Sequence, residues 1–326
     1  MLVRGFLISF IINIRIAIII INNNHFGDPM ADPLDIATII ASVLLYVFLP
    51  PLLDGVERKI KADIQSRYGP PTIFQTWFDI LKLMSKEVVI PINYIFYIVP
   101  ISLSFTLSIV LSVIMSQIIT LSNMSLMKII SVFVFLTSIH VLNMLTYLFS
   151  SNPFSIIGTF RVMTLNILNE VGLALFLILM FIVVTNSPCS IMLSLFTITP
   201  LTIAVYISHG RLPYDLHEAE PELASGSLIE FSGPILGLYL YSHLIERYIL
   251  TSLPILFIIY MFKVFQNVFV MSLVFHVFTI VLYIIFAVVS VILGRSKVNL
   301  AVKTLAFLYF LAIIIWIGVY IVERII

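Results

Sequence analysis

Eight stretches of this 326-residue chain are each about 20 residues long and almost free of charge, which is the length an α-helix needs to cross the hydrocarbon core of a bilayer. They lie at roughly 35–53, 94–117, 127–149, 164–186, 190–208, 234–261, 266–293 and 300–322, and 190–208 is the weakest of them because Pro200 interrupts it. The expected fold is an all-α polytopic membrane protein of about eight transmembrane helices. Hydrophobic residues make up 61% of the chain and charged residues 10%, with a mean hydropathy of +1.17, which excludes a soluble globular enzyme. A net charge of +1 excludes the dense basic stripe that a nucleic-acid binder needs. Cys189 is the only cysteine, so no disulfide, thiolate metal site or iron–sulfur cluster is expected in this chain.

Lysines and arginines in the short connections set the orientation. With the residues before 35 outside, the inner connections hold Arg58, Lys59, Lys61, Arg67, Lys82, Lys86, Arg161, Arg211, Arg295, Lys297 and Lys303. The outer ones hold Lys128, Lys263 and Arg324. The two long polar loops, 54–93 and 209–233, are therefore expected in the cytoplasm of a cell whose plasma membrane the chain crosses. Residues 1–29 fit less well, because Arg15 sits in their apolar run, at a cost of up to about 2.5–3.5 kcal/mol. They read as a ninth span, an uncleaved signal-like segment or an untranslated extension. The last is favoured, leaving 30–326 as a single membrane domain. No second half of the chain echoes the first, unlike a duplicated transporter.

In the first loop, charges from Glu57 to Arg67 alternate with Val56, Ile60 and Ile64 at helical spacing, up to Gly69-Pro70-Pro71. Ile73, Trp77, Ile80, Leu81 and Met84 then form one apolar stripe beside Asp79, Lys82 and Lys86, the pattern of an amphipathic interfacial helix. Two readings stand: a surface anchor with snorkelling lysines, or a docking face for a soluble partner. The second loop gathers Asp215, Glu218, Glu220, Glu222 and Glu230. Asp215, Glu218 and Glu222 would share a helical face, one turn after Arg211; such like charges repel, and when partly buried they hold protons near neutrality. The plain alternative is a solvated acidic loop. Inside the spans lie Glu170, His140, His243, Glu246, Arg247 and His276. Such residues are rare in hydrocarbon and face a bundle interior or water. Glu246 and Arg247 read equally as a structural pair, and each histidine as a satisfied helix contact. Glu170 has no charged sequence neighbour, which makes it the better relay candidate.

ERKIKADIQSRYGPP followed by FDILKLMSKE, and RLPYDLHEAEPELASGSLIEFSGP, resemble the two signature loops of the complex I membrane subunit 1 family. Its members are the NADH:quinone oxidoreductase subunit 1 proteins and the equivalent subunits of membrane-bound group 4 hydrogenases and related ion-pumping complexes. SSNPFSIIGTFR at 150–161 supports the match, which covers roughly residues 35–322. The resemblance implies a coupling subunit that docks a soluble redox arm and passes its signal to antiporter-like membrane subunits. Docking would fall to Glu57, Arg58, Lys59, Arg67, Asp79 and Lys82. Ion relay would fall to Glu170, Arg211, Asp215, Glu218, Glu220, Glu222, Glu230, His243 and Glu246. This chain would bind no cofactor or metal; iron–sulfur clusters and a NiFe or related centre would belong to partner subunits. Two departures count against a working quinone site. Gly69-Pro70-Pro71 runs almost directly into Phe74-Gln75-Thr76-Trp77, and His243 stands where quinone-type members usually carry Glu. Both point to the hydrogenase or sulfane-sulfur-reductase branch. The alternatives are a quinone-site subunit, a stand-alone secondary transporter and a structural anchor.

Overall fold

The structure, a computed structural model, describes residues 33–88, 94–121, 124–149, 153–185, 191–215, 231–262 and 267–325. Nine helices and no strands form among the described residues. They are α1 (Pro33–Ile64), α2 (Gln75–Ser85), α3 (Tyr94–Thr120), α4 (Leu126–Leu148), α5 (Pro153–Thr185), α6 (Ile191–Ser208), α7 (Gly233–Phe262), α8 (Val268–Ile292) and α9 (Val298–Ile325). All but α2 are long and apolar enough to cross a membrane, so eight candidate spans match the sequence reading in number and order. Residues 1–29 lie outside the described residues.

Around α7 pack α1, α2, α3, α5, α6 and α8. Of the most apolar window of α7, 78% is buried, against 11% for α9, which sits at the edge on α5 and α6. Close packing of α3 has a sequence cause: Ser104, Ser108, Ser112 and Ser116 recur every fourth residue on a buried face. Each hydroxyl donates to a carbonyl one turn back, as Ser104 does to Ile101 at 2.9 Å, so the small side chains bring neighbouring backbones close without stranding a polar group.

The first polar loop begins later than its composition suggests. Pro50 and Pro51 lie inside α1, which runs on to Ile64. At 1.5 Å per residue its 32 residues reach about 48 Å, more than the about 30 Å of hydrocarbon, so its charged last turns project beyond the bilayer core. Helix α2 then folds back against α1 and α7. Its apolar stripe is rotated from the sequence expectation: Thr76 and Ile80 are buried, whereas Ile73 and Leu81 are 40% and 58% exposed. Trp77 sits between Phe48 and Tyr241, with ring centroids 5.8 and 5.6 Å away. Leu83 and Met84 lie against Gly237 of α7. The chain leading into α2 presses on α1 at Gly55, where an added Cβ would stand 1.8 Å from the Ile73 carbonyl oxygen. Gly55→Ala should therefore destabilise the subunit by about 1–3 kcal/mol, read as earlier loss of the folded complex on heating. An alanine variant that melts like the parent would mean the loop does not seat there.

Candidate functional site

Three spanning helices bring a histidine and two carboxylates together. Nδ1 of His140, on α4, hydrogen-bonds Oε1 of Glu170 on α5. The other ring nitrogen, Nε2, stands 2.8 Å from Oε1 of Glu246 on α7, at ion-pair distance but not aligned as a hydrogen bond. Asn143, one turn after His140, donates to Glu246 Oε2 at 3.3 Å, and His243 Nδ1 lies 3.4 Å from the same oxygen. The Glu246 side chain is 1% exposed and that of Glu170 is 21% exposed, so the bridge runs from the protein interior toward the rim of the bundle. An imidazole with a carboxylate on each nitrogen can take a proton on one side and release one on the other. Beside it lies a cavity of about 90 Å³, lined by His140, Asn143, Asp215, His243, Glu246 and Arg247. Those side chains put polar groups into a wall that Met144, Val162, Leu165 and Ile207 make otherwise apolar, and the cavity has room for several waters.

Glu246 and Arg247 do not pair, because successive helical residues point about 100° apart. Arg247 instead donates from Nε to the carbonyl of His209 at 3.1 Å, tying α7 to the start of the second loop. Five buried or partly buried groups meet there. Arg211 Nη2 lies 2.5 Å from Glu57 Oε2, and Lys61 Nζ lies 2.7 Å from Glu57 Oε1. The Arg211 guanidinium covers the ring of Tyr283 on α8, 4.4 Å from its centroid. His209 is fully buried, and its Nε2 lies 3.2 Å from Thr251 Oγ1. Burial holds the His209 imidazole well below the usual histidine range, and the positive charges of Arg211 and Arg247 push the same way. Thr251 donates its own hydrogen to the Arg247 carbonyl at 2.7 Å, which assigns the proton to His209 Nε2 and leaves Nδ1 an acceptor.

The other residues singled out on sequence separate into two environments. Arg58, Lys59, Arg67 and Lys82 are exposed. Arg58 binds Asp54 at 3.2 Å and Asp79 at 2.9 Å, and Asp79 also accepts from Gln75 at 3.0 Å. Glu57, grouped with the docking residues on sequence, is 3% exposed and is consumed by Arg211 and Lys61. Asp215 pairs with Arg295 at 2.8 Å rather than stacking one turn after Arg211, because 211–215 is a turn and not a helix. Ser296 secures the same turn, donating from its backbone N–H and its hydroxyl to the Pro213 carbonyl at 3.0 and 2.8 Å. Glu218, Glu220, Glu222 and Glu230 lie outside the described residues. His276 meets Tyr248 at 2.9 Å as a helix contact. Sequence reasoning did not single out Asn143 or Tyr283, and it used Arg295 only for orientation. For Asn143 a signal was present: a polar residue three positions after His140 shares its helical face.

Comparison with known proteins agrees with this architecture. Residues 36–321 match the model of the NADH dehydrogenase family. Hydrogenase-4 component C of Escherichia coli is 29% identical over 238 residues, covering 66% of this chain and 72% of that protein. NADH-ubiquinone oxidoreductase chain 1 of Aedes aegypti is 30% identical over 217 residues, covering 60% and 69%. The fold is also found in the structure of the membrane-bound sulfane sulfur reductase, an archaeal respiratory membrane complex. That match has a TM-score of 0.69 at 20% identity and covers 86% of this chain and 99% of the other. With nearly the whole membrane domain matched, the chain belongs to the NADH dehydrogenase family and is a membrane subunit of the complex I-like and membrane-bound hydrogenase-type oxidoreductases.

Proposed function

We propose that this chain is the coupling subunit of such a complex, relaying electron transfer in a soluble arm to proton or sodium translocation in the membrane. The observation that carries this reading is His140 standing between Glu170 and Glu246 inside the bundle, next to a cavity that Asp215, His243 and Arg247 help to line. Carboxylates and imidazoles are costly in hydrocarbon and are kept where ions or protons pass. The bias of Lys and Arg supports a cytoplasmic side for loops 54–93 and 209–233, and the proposed setting is the plasma membrane. The soluble arm would dock over Arg58, Lys59, Arg67, Asp79 and Lys82, beside Phe74, Phe78 and Leu81 on the outer side of α2, which are exposed. Iron–sulfur clusters and a NiFe or related centre would sit in that arm, antiporter-like subunits alongside in the membrane, and the acceptor would be protons or sulfur. In the second loop, Arg211, Asp215, Glu218, Glu220, Glu222 and Glu230 would carry the signal inward to Glu246, His243 and Glu170.

The test is the gently purified complex, given reduced ferredoxin as donor and then placed in liposomes. Hydrogen or sulfide should appear without added quinone. Glu170→Gln should remove most of the ion movement while the soluble arm still reduces artificial acceptors. Normal pumping by that variant would overturn the relay. A second reading, a quinone-site subunit, is favoured by the likeness to NADH-ubiquinone oxidoreductase chain 1. Turnover that depends on added quinone would select it.

A further inference from the structure

We propose that the seam between α1, α7 and α8 is a second proton-conducting path, built from hydroxyls and imidazoles and separate from the Glu170–His140–Glu246 bridge. It rests on the reading that the complex moves ions. On α1, Asp35, Thr38, Ser42 and Tyr46 follow at spacings of three and four, and the same face returns one turn beyond Pro50 and Leu53 as Glu57 and Lys61. On α8, Ser272, His276, Thr279 and Tyr283 are spaced the same way and all are buried. The two stripes face each other, with α7 closing the third side. From Thr38 to Glu57 the seam covers about 28 Å along α1, close to the about 30 Å of a bilayer's hydrocarbon core.

Thr38 and Thr279 bond carbonyls of their own helices, and from Ser42 to Glu57 polar contacts link the elements. Ser42 and Ser272 hydroxyls are 3.0 Å apart. Tyr46 donates to Ser252 at 3.1 Å, and Tyr248 lies 2.9 Å from His276 Nδ1. His209 and Thr251 come next, 3.2 Å apart, and then Tyr283 under Arg211, whose partner is Glu57.

Hydroxyl contacts between helices are often no more than glue. Glue satisfies itself, and this seam does not. His276 Nε2, His209 Nδ1 and Tyr283 Oη are buried with no hydrogen-bond partner among the described residues. A polar atom left so costs about 1–3 kcal/mol, and native proteins avoid it except where water completes the bonding. The three atoms sit at successive levels of one seam, and each is chemically suited to a bridging water. Conduction then needs no redox step. The Tyr248 hydroxyl gives its proton to His276 Nδ1 while Nε2–H releases one to a bridging water, and a further donor reprotonates the phenolic oxygen. Every O–H or N–H bond broken is matched by one formed.

The test uses the whole complex: a cryo-EM map fine enough to show ordered water, and His276→Gln in proteoliposomes. Glutamine keeps a hydrogen bond to Tyr248 but has no imidazole ring to take a proton on one nitrogen and release one from the other. Water density within hydrogen-bond reach of His276 Nε2 and Tyr283 Oη is expected, together with a loss of ions moved per electron pair in an assembled His276→Gln complex. A dry seam, or an unchanged ratio, overturns the proposal. If His276→Gln is silent while Glu170→Gln stops pumping, the seam fails and the coupling role stands. A parent complex that moves no ions fails the coupling role itself, before any variant is made.

Discussion

Glu57→Ala should lower the stability of the subunit by about 3–5 kcal/mol, seen as a marked drop in the temperature at which the detergent-solubilised complex loses its size-exclusion peak. The reason is what the substitution leaves behind. Arg211 stays charged at any working pH, and its side chain is only 2% exposed. Lys61, the other partner of Glu57, is 31% exposed and can turn to water when the carboxylate goes. Among the described residues, what then remains against the guanidinium is the Tyr283 ring and carbonyl, and both contacts are weak beside a lost carboxylate. Replacing both partners, Glu57→Gln with Arg211→Met, should recover much of the loss, because a matched apolar or neutral pair carries no stranded charge. Arg58→Ala is the contrast. Its bridges to Asp54 and Asp79 are made by a side chain 47% exposed, and removing them should cost no more than about 1 kcal/mol. A Glu57→Ala complex as stable as the parent would mean the pair is open to water.

His140→Leu should slow proton transfer across the Glu170–Glu246 bridge by a factor on the order of 10²–10⁴, the usual contribution of a positioned acid–base group, while electron flow to artificial acceptors continues. Leucine fills the space but leaves Glu170 and Glu246 with no group between them that can carry a proton. His140→Gln separates relay from scaffolding, since its amide can hydrogen-bond a carboxylate without transferring protons. If the glutamine complex assembles and pumps at the parent rate, His140 is a structural contact and the route lies elsewhere. If both variants assemble and neither pumps, a scaffolding role is excluded.

Much of this architecture is legible before any coordinates. Each span carries its own evidence in about 20 apolar residues, because a helix in hydrocarbon satisfies its backbone internally and needs no partner to announce itself. The helix over α2 and the rarity of Glu170, His140 and Glu246 are legible for the same local reason. Where the local argument fails, a neighbour intervenes. Pro50-Pro51 looks like the end of a span, yet α1 continues to Ile64, where α2, α7 and Arg211 hold its last turns. The stripe on α2 is rotated because α7 offers Gly237 to Leu83 and Met84, leaving Leu81 outward.

The sequence alone determined the class of the protein, its spans and their order, and the residues that hydrocarbon would not tolerate unpaired. Only the tertiary structure decided which of those residues meet: Glu57 with the distant Arg211, His140 with Glu170 and Glu246, and Arg247 with the His209 carbonyl instead of its neighbour Glu246. The physical reason is that insertion into a bilayer depends on one segment's own composition, whereas pairing depends on the rotation and depth of helices far apart in the chain. Those are set by packing between surfaces that carry no local pattern.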